Sequence, residues 1–339
     1  MTTERQAVVI PRAGLTYAGN YPDADPAGGL EEGLELLVLA ERLGYDTVGV
    51  RQRHLERGVS SALTVLAAAS QRTERITLET NVVPLGFENP FRLAEDFATV
   101  WALARGRVHV GISSSAPHAE LLAPLGRPDT DPRTDPYELM ARFLDALRSE
   151  PLADEPLHTP YGPEPVPRLQ PRIPDALRTV WLGGGSNRSV DWAAQRGLNL
   201  LLGNLTDAEG DAGFAESQRL RVQRYRDRLA PHGEGRVAVE RVLLPTDGAD
   251  DATREHYAAY VEARTARTFQ THGTRRTVIA PDLVGPGARI AEALTADPVF
   301  DGRVELRVAL PYGFARTEYE QILRDVREHV LPALGWEAA

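Results

Sequence analysis

Short β-branched runs alternate with amphipathic helical stretches along nearly all of this 339-residue chain. In the first helical stretch, Leu30, Leu34 and Leu37 recur at the spacing of one helix face. Gly44 then marks the end of that helix. The pattern predicts about eight strands, the first of them at Ala7–Pro11, each followed by a helix. This alternation is typical of the α/β class and of a closed eight-stranded β/α barrel, also called a TIM barrel.

An open, doubly wound sheet is the alternative arrangement of such elements. Its nucleotide-binding loop would follow the first strand, and the stretch PRAGLTYAGNYP lacks the glycine spacing of that loop. We therefore predict one barrel domain over residues 1–339, with a less regular excursion at about 246–286. Insertion loops at residues 11–29, 116–136, 151–174 and 274–286 are expected at the carboxyl-terminal face, where they would set substrate specificity.

Composition excludes several classes of chemistry. The chain has no cysteine, and all 38 of its basic residues are arginine, so thiolate chemistry and lysine Schiff bases are impossible. A formal net charge of −10 argues against nucleic acid as a partner. No histidine pattern indicates a metal site, and no apolar run is long enough to span a membrane. The amino terminus lacks the layout of a signal peptide, so we expect a cytoplasmic protein.

The stretch GGGSNRS follows the predicted fifth strand, where a barrel places part of its active site. Gly183 to Gly185 allow a ligand to approach the backbone closely, and Ser186 is a good helix N-cap. The start of the next helix would favour an anion such as phosphate, to which Arg188 and Ser189 could contribute. On spacing alone, a simple capped helix after a flexible turn explains these residues equally well.

Polar residues also follow the second and fourth strands. His54, flanked by Arg51 and Arg53, could act as a general base whose pKa the arginines lower, or could be an ordinary loop histidine. The three serines of SSSAP suit binding better than nucleophilic attack, because no G-x-S-x-G elbow is present. His109 is interpreted as a satisfied histidine inside the barrel.

Several blocks resemble the bacterial luciferase-like flavin-dependent monooxygenase family, whose members are β/α barrels. These blocks are AERLGYDTVGV, AAASQRTERITLETNVVPLGFENPFRLAEDFATV, RGRVHVGIS, VWLGGGSNRSVDWAAQRGL and VREHVLPALGW. The resemblance covers most of the chain in order and is weakest over residues 205–286. It implies that the anion is the phosphate of reduced FMN. Ser186 and Ser189 match hydroxyl contacts to that phosphate, and Gly184 and Gly185 match backbone contacts.

The same resemblance implies a place for the flavin ring. Thr80, Asn81 and Val82 match the segment beneath the ring, where the family often has a non-prolyl cis peptide, expected here between Asn81 and Val82. Ser113 matches the position that faces the reactive edge of the flavin. Two further cofactor contacts, directed toward the phosphate, are matched by Ser114 and Ala116.

The chain departs from the family at positions that matter for chemistry. Luciferases have Glu-His-His after the second strand, and here the run is Gln52, Arg53 and His54. Light emission is therefore not expected, and Arg53 and His54 become the candidate catalytic residues for handling protons or anionic substrate groups. Two phosphate-binding arginines of the family align with Ser114 and Tyr137.

These features favour a two-component monooxygenase that receives reduced FMN from a separate flavin reductase and uses oxygen on a small organic substrate. The first alternative is an oxidoreductase that transfers hydride with the deazaflavin coenzyme F-420. The second is a non-catalytic flavin-binding protein, and the third is a barrel hydrolase that uses carboxylates such as Glu79 and Glu95 without flavin. The resemblance also makes a homodimer the expected assembly.

Overall fold

The computed structural model of the protein describes residues 9–115, 135–156, 158–163 and 165–338. Eight parallel strands in this part of the chain close into a barrel in sequence order, and β8 pairs with β1. This confirms the predicted fold class. The strands β1 to β8 are Ala13–Tyr17, Thr47–Val50, Thr77–Pro84, Val108–Ser113, Val180–Gly183, Asn199–Leu202, Val237–Arg241 and Val304–Ala309.

Nine α-helices surround the barrel within the described ranges. The helices α1 to α9 are Pro26–Arg42, Ala62–Ser70, Pro90–Leu103, Pro136–Leu147, Asn187–Gln195, Phe214–Leu229, Asp251–Thr265, Gly287–Ala296 and Arg316–Asp325. The connection from β7 to β8 contains two of them, α7 and α8. The main apolar core lies between the strands and this layer of helices.

The first strand lies later in the chain than predicted. The prediction of a strand at Ala7–Pro11 was wrong for its described part, because residues 9–11 form no strand and β1 begins at Ala13; residues 7 and 8 lie outside the described residues. Ile10 is buried instead, and its N–H donates to the Leu334 carbonyl oxygen near the end of the chain (2.9 Å). Pro11 has no N–H to donate to a sheet, and it lies before the barrel strand begins.

The segment at residues 246–286, predicted to be less regular, contains α7 and two short strands. Thr277–Ile279 pairs antiparallel with Leu205–Asp207, which follows β6. Leu283–Gly285 pairs with Leu243–Pro245, which follows β7. Both small sheets therefore extend from the carboxyl-terminal ends of barrel strands, and the sheet of Leu205–Asp207 and Thr277–Ile279 contributes to the wall of a cavity there.

A buried ionic network fills part of the barrel interior. Arg307 donates to both carboxylate oxygens of Glu79 (3.0 and 3.1 Å) and to Glu305 (2.9 Å). Arg236 also donates to Glu305 (2.5 and 2.8 Å). Because the charges in this network are paired and multiply hydrogen-bonded, they are compatible with burial. The network forms a polar layer inside the barrel, and both carboxylate oxygens of Glu79 are occupied by Arg307.

Candidate functional site

A cavity of about 380 Å³ lies at the carboxyl-terminal ends of the strands, where β/α barrels hold their ligands. Residues from the ends of six strands and from the Leu205–Asp207 and Thr277–Ile279 sheet contribute to its wall. The cavity is lined by Arg51, Asn81, Val82, Ser113, Ser115, Gly183, Gly184, Gly185, Leu201, Gly203, Leu205, Thr206, Asp207, Glu240, Arg275 and Thr277.

Asn81 and Val82 reach the cavity because glycines on neighbouring strands make room for their side chains. A Cβ atom on Gly49 would lie 2.0 Å from Asn81 Nδ2, and one on Gly183 would lie 2.9 Å from Val82 Cγ1. The Asn81 side chain donates to Thr16 Oγ1 (2.9 Å), which holds it inside the barrel. The peptide bond between Asn81 and Val82 is cis, as the family resemblance implied.

The other residues predicted near the flavin ring have different environments. The Thr80 hydroxyl is buried and donates to the Gly111 carbonyl oxygen (2.8 Å), so it joins β3 to β4 and does not line the cavity. Ser113 lines the cavity, whereas Ser114 is half-buried outside its lining. Ala116 lies outside the described residues.

The glycine turn after β5 presents unpaired backbone donors. No described residue accepts a hydrogen bond from the N–H of Gly185, Asn187 or Arg188, all at the start of α5. The helix dipole adds a partial positive charge at this end. The turn therefore has donors that could bind an anion.

The two serines at this turn cap the helix reciprocally. Ser186 Oγ accepts from the Ser189 N–H (3.1 Å), and Ser189 Oγ accepts from the Ser186 N–H (3.2 Å). Gly184 and Gly185 are required by the close packing around them. A Cβ atom at these positions would lie 2.6 Å from Ser189 Oγ and 2.7 Å from the Leu205 carbonyl oxygen, respectively. Gly184 and Gly185 line the cavity, while Ser186 and Ser189 lie just behind the turn.

Arg188 follows the turn in the chain and places its guanidinium over the aromatic ring of α4. It lies 3.9 Å from the centre of the Tyr137 ring, in the first turn of α5. No ion pair joins it to any carboxylate of the described residues.

The candidate catalytic residues Arg53 and His54 do not line the cavity. The His54 ring stacks on Phe87 (4.2 Å between centroids). The Gln52 side-chain amide donates to Glu88 Oε1 (2.7 Å) and lies 3.1 Å from His54 Nε2, which therefore accepts. Burial lowers the pKa of His54, with the Glu88 carboxylate acting in the opposite direction, so the predicted role of the arginines in this shift was wrong.

Arg53 points to the surface of the barrel mouth. Its guanidinium donates to the Tyr312 hydroxyl (2.8 Å) and lies 3.6 Å from Glu56. Arg53 and His54 are therefore both held by contacts with nearby residues, His54 by stacking on Phe87. Neither Arg53 nor His54 lines the cavity.

The interior histidine and carboxylates are occupied by structural contacts. His109 Nδ1 accepts from Trp181 Nε1 (3.3 Å), and burial lowers the pKa of His109 to about 4. Glu79 is bound by Arg307, and Glu95 pairs with Arg92 on the exposed side of α3. The glycosidase-like carboxylate pair is therefore not assembled.

Two ion pairs in the cavity wall were not predicted from the sequence. Arg51 pairs with Glu240 (2.8 Å), and Arg275 pairs with Asp207 (2.9 Å). Arg51 directly follows β2, so the rule that strand ends carry the site could have identified it. Glu240 lies within an apolar strand, and only barrel closure shows that it faces inward.

No cluster of metal-ligating residues occurs in the described ranges. In the same part of the chain, no helix combines the length and apolar character needed to cross a membrane.

The comparison with known proteins identifies the family. The model of the luciferase-like monooxygenases matches residues 12–298. The chain belongs to the luciferase-like monooxygenase family. A family of oxidoreductases supports an enzymatic role for this member.

Individual relatives use more than one cofactor. The chain is 39% identical over 120 residues to an F420-dependent glucose-6-phosphate dehydrogenase from Beutenbergia cavernae. That match covers 34% of this chain and 34% of the relative, so it spans only about a third of the dehydrogenase.

Two solved structures share the fold over nearly their whole length. The monooxygenase RslO1 from Streptomyces bottropensis has a TM-score of 0.70 and 20% identity, covering 95% of this chain and 99% of that one. The oxygenating constituent of 3,6-diketocamphane monooxygenase from Pseudomonas putida, in complex with FMN, has a TM-score of 0.67 and 16% identity. Its match covers 96% of this chain and 98% of the other.

Proposed function

We propose that this member of the family is a two-component monooxygenase that binds reduced FMN and uses oxygen on a small organic substrate. The observation that carries the proposal is the glycine turn, in which Gly184 and Gly185 line the cavity at the ends of the strands and the Gly185 N–H has no partner among the described residues. In the proposed complex the turn binds the flavin phosphate, and the cavity holds the ring.

The residues of the turn fit a phosphate. The N–H groups of Gly185, Asn187 and Arg188 can donate to its oxygens, and Ser186 caps the same turn. The chain has no lysine, so backbone, hydroxyl and guanidinium donors are the ones that must bind the group. Glycine at position 185 lets the Leu205 backbone pack against the turn without a Cβ clash.

The remaining residues would orient the ring and exclude water. Val82, Leu201 and Leu205 provide apolar surface in the cavity, and Ser113 offers a hydroxyl at the end of β4. Reduced flavin supplies the reactivity toward oxygen, and a dry cavity protects that chemistry from side reactions. Because Arg188 is exposed, the phosphate site would remain accessible to a cofactor that is delivered by a separate reductase and released again.

The second candidate function is hydride transfer with coenzyme F-420, without oxygen. The partial match to an F420-dependent glucose-6-phosphate dehydrogenase favours it. Both cofactors carry a phosphate and a related ring system, so the turn and cavity suit either. Oxygen consumption in the presence of a flavin reductase separates the two reactions, and also separates either enzyme from a non-catalytic flavin carrier.

An anaerobic titration tests the proposal. Reduced FMN, oxidised FMN and F-420 are each added to the wild type, to Ser186→Ala and to Asp250→Ala. Asp250 caps α7 far from the cavity lining by accepting from the Thr253 N–H (2.8 Å), so its loss controls for helix capping alone. Each variant should lose about 1 kcal/mol of stability.

Only Ser186→Ala should bind reduced FMN more weakly, by about tenfold, since a hydrogen bond to a charged group is lost. Preferential binding of F-420 would move the assignment to hydride transfer. If the wild type binds neither cofactor, the proposed function is wrong.

A further inference from the structure

The Arg51–Glu240 ion pair spans the mouth of the barrel. Arg51 follows β2 and Glu240 lies in β7, and in the closed strand order only β1 and β8 separate these two strands. The pair therefore lies on the side of the cavity away from β5 and its glycine turn. A ligand whose phosphate is bound at the turn would direct its other end toward Arg51 and Glu240.

The pair is incompletely hydrogen-bonded. Arg51 Nη2 donates to Glu240 Oε2 (2.8 Å), but Arg51 Nε and Glu240 Oε1 are both buried without a hydrogen-bond partner in the described part of the chain. An unsatisfied buried donor or acceptor is costly, and in native structures it calls for a specific explanation such as a missing ligand. Here one donor and one acceptor are left unsatisfied in the same ion pair.

The two side chains differ in how far they are open to the cavity. The Arg51 side chain is 23% exposed, whereas that of Glu240 is 4% exposed. Glu240 thus acts as the buried anchor, and Arg51 is the member with room to adjust when a ligand enters. Neither residue was among the predicted site residues, and no other carboxylate pairs with Arg51 among the described residues.

We propose that Arg51 and Glu240 recognise the pyrimidine-dione edge of the bound cofactor. Arg51 donates to a ring carbonyl oxygen, and the free oxygen of Glu240 accepts from the adjoining ring N–H. The inference rests on the proposed function, because it takes the ligand to be a flavin or deazaflavin. Both ring systems present a carbonyl next to an N–H at this edge, which complements one free donor beside one free acceptor.

Methylation of the ring N–H supplies the test. Reduced FMN and its N3-methyl derivative are titrated anaerobically into the wild type and into Arg51→Met/Glu240→Leu. The double variant replaces the ion pair with an apolar pair of similar size, a change that proteins often tolerate without loss of stability. Arg57→Gln is the control, since Arg57 forms an exposed ion pair with Asp23 (3.2 Å).

The wild type and Arg57→Gln should bind FMN at least about tenfold more tightly than N3-methyl FMN, because methylation leaves the Glu240 acceptor unpaired. The double variant should bind both ligands equally and about as weakly as the wild type binds the methylated one. Removal of the phosphate, using riboflavin, should weaken binding to the wild type and the double variant by the same factor, because the phosphate contacts the opposite end.

The outcomes separate this inference from the proposed function. If the wild type binds FMN and its N3-methyl derivative equally, or if the double variant still discriminates, the assignment of Arg51 and Glu240 is wrong and the flavin assignment stands. If F-420 binds in place of FMN, the double variant should lose about tenfold in affinity for it, and unchanged affinity would overturn the inference. If the wild type binds none of these ligands, the proposed function fails as well.

Discussion

Replacement of Arg188 by glutamine tests the charge beside the glycine turn. The Arg188 guanidinium lies 3.9 Å from the centre of the Tyr137 ring and has no ion-pair partner within the described ranges. The substitution removes this positive charge and retains a polar side chain of similar reach. If the turn binds the cofactor phosphate, the variant should bind reduced FMN more weakly than the wild type.

The size of the effect follows from exposure. Exposed ion pairs contribute about 0.2–1 kcal/mol, and hydrogen bonds to charged groups about 1.5–3 kcal/mol. Because Arg188 is exposed, we expect the loss of binding free energy to lie at the upper end of the first range, about 1 kcal/mol, which is a fivefold increase in Kd. The effect should shrink as salt rises from 0.05 to 0.5 M, values at which screening acts over roughly 14 and 4 Å.

Arg196→Gln is a matched control on the same helix. The Arg196 guanidinium lies 4.0 Å from the Trp192 ring centre, just past the end of α5 opposite the turn. Both substitutions remove one cation–π contact, worth about 0.5–1 kcal/mol of stability at exposed sites. Only Arg188→Gln should weaken FMN binding, and neither should affect riboflavin. Equal FMN affinity in the two variants, measured by fluorescence titration, would refute a contribution of the Arg188 guanidinium to phosphate binding.

Three further predictions concern stability. Arg307→Met should destabilise the fold by about 3–5 kcal/mol in urea unfolding, because it leaves the buried Glu79 carboxylate without its arginine, while Glu305 keeps Arg236; a loss below 1 kcal/mol would contradict the interior network. Burial lowers the pKa of His109 to about 4 in the folded protein. As the pH falls below the ordinary pKa of a histidine, His109 is therefore protonated in the unfolded chain before it is protonated in the folded protein. Stability should therefore fall less steeply between pH 7 and about 4.5 in His109→Gln, and equal slopes would argue against a neutral buried histidine. Gly111→Ala places a Cβ atom 2.2 Å from the Thr80 carbonyl oxygen and should lower the Tm of the protein. Gly213→Ala is the control, because its Cβ atom would meet no atom within 4 Å and should leave the Tm unchanged. Equal Tm values for the two variants would refute the packing argument.

Much of the fold could be predicted because barrel strands and helices have distinct periodicities. The helix ending at Gly44 and the capped start of α5 at Ser186 are examples in which local chemistry decides the structure. The predicted position of the first strand was wrong because AVVIP is rich in β-branched residues, which favour strands. Ala13–Tyr17 contains a glycine, so its own sequence favours a strand only weakly. Pairing with both β2 and β8 stabilises that weaker sequence.

The site was predicted where it depends on local sequence and missed where it depends on closure of the barrel. The glycine turn lies within a short motif and the Asn81–Val82 cis peptide was implied by the family resemblance, and the structure has both features. The Arg51–Glu240 pair joins residues 189 positions apart, so no local pattern indicates it. Roles in catalysis for Arg53 and His54 stay predictions, since both residues lie beside the cavity and not in its wall.

A crystal structure of the protein soaked anaerobically with reduced FMN, and in parallel with F-420, is the most direct test of the account. We predict that the phosphate accepts from the N–H groups of Gly185, Asn187 and Arg188, with the ring in the cavity beside Val82. A phosphate bound elsewhere, or a ring outside this cavity, would contradict the central claim that the glycine turn and the barrel mouth form one cofactor site.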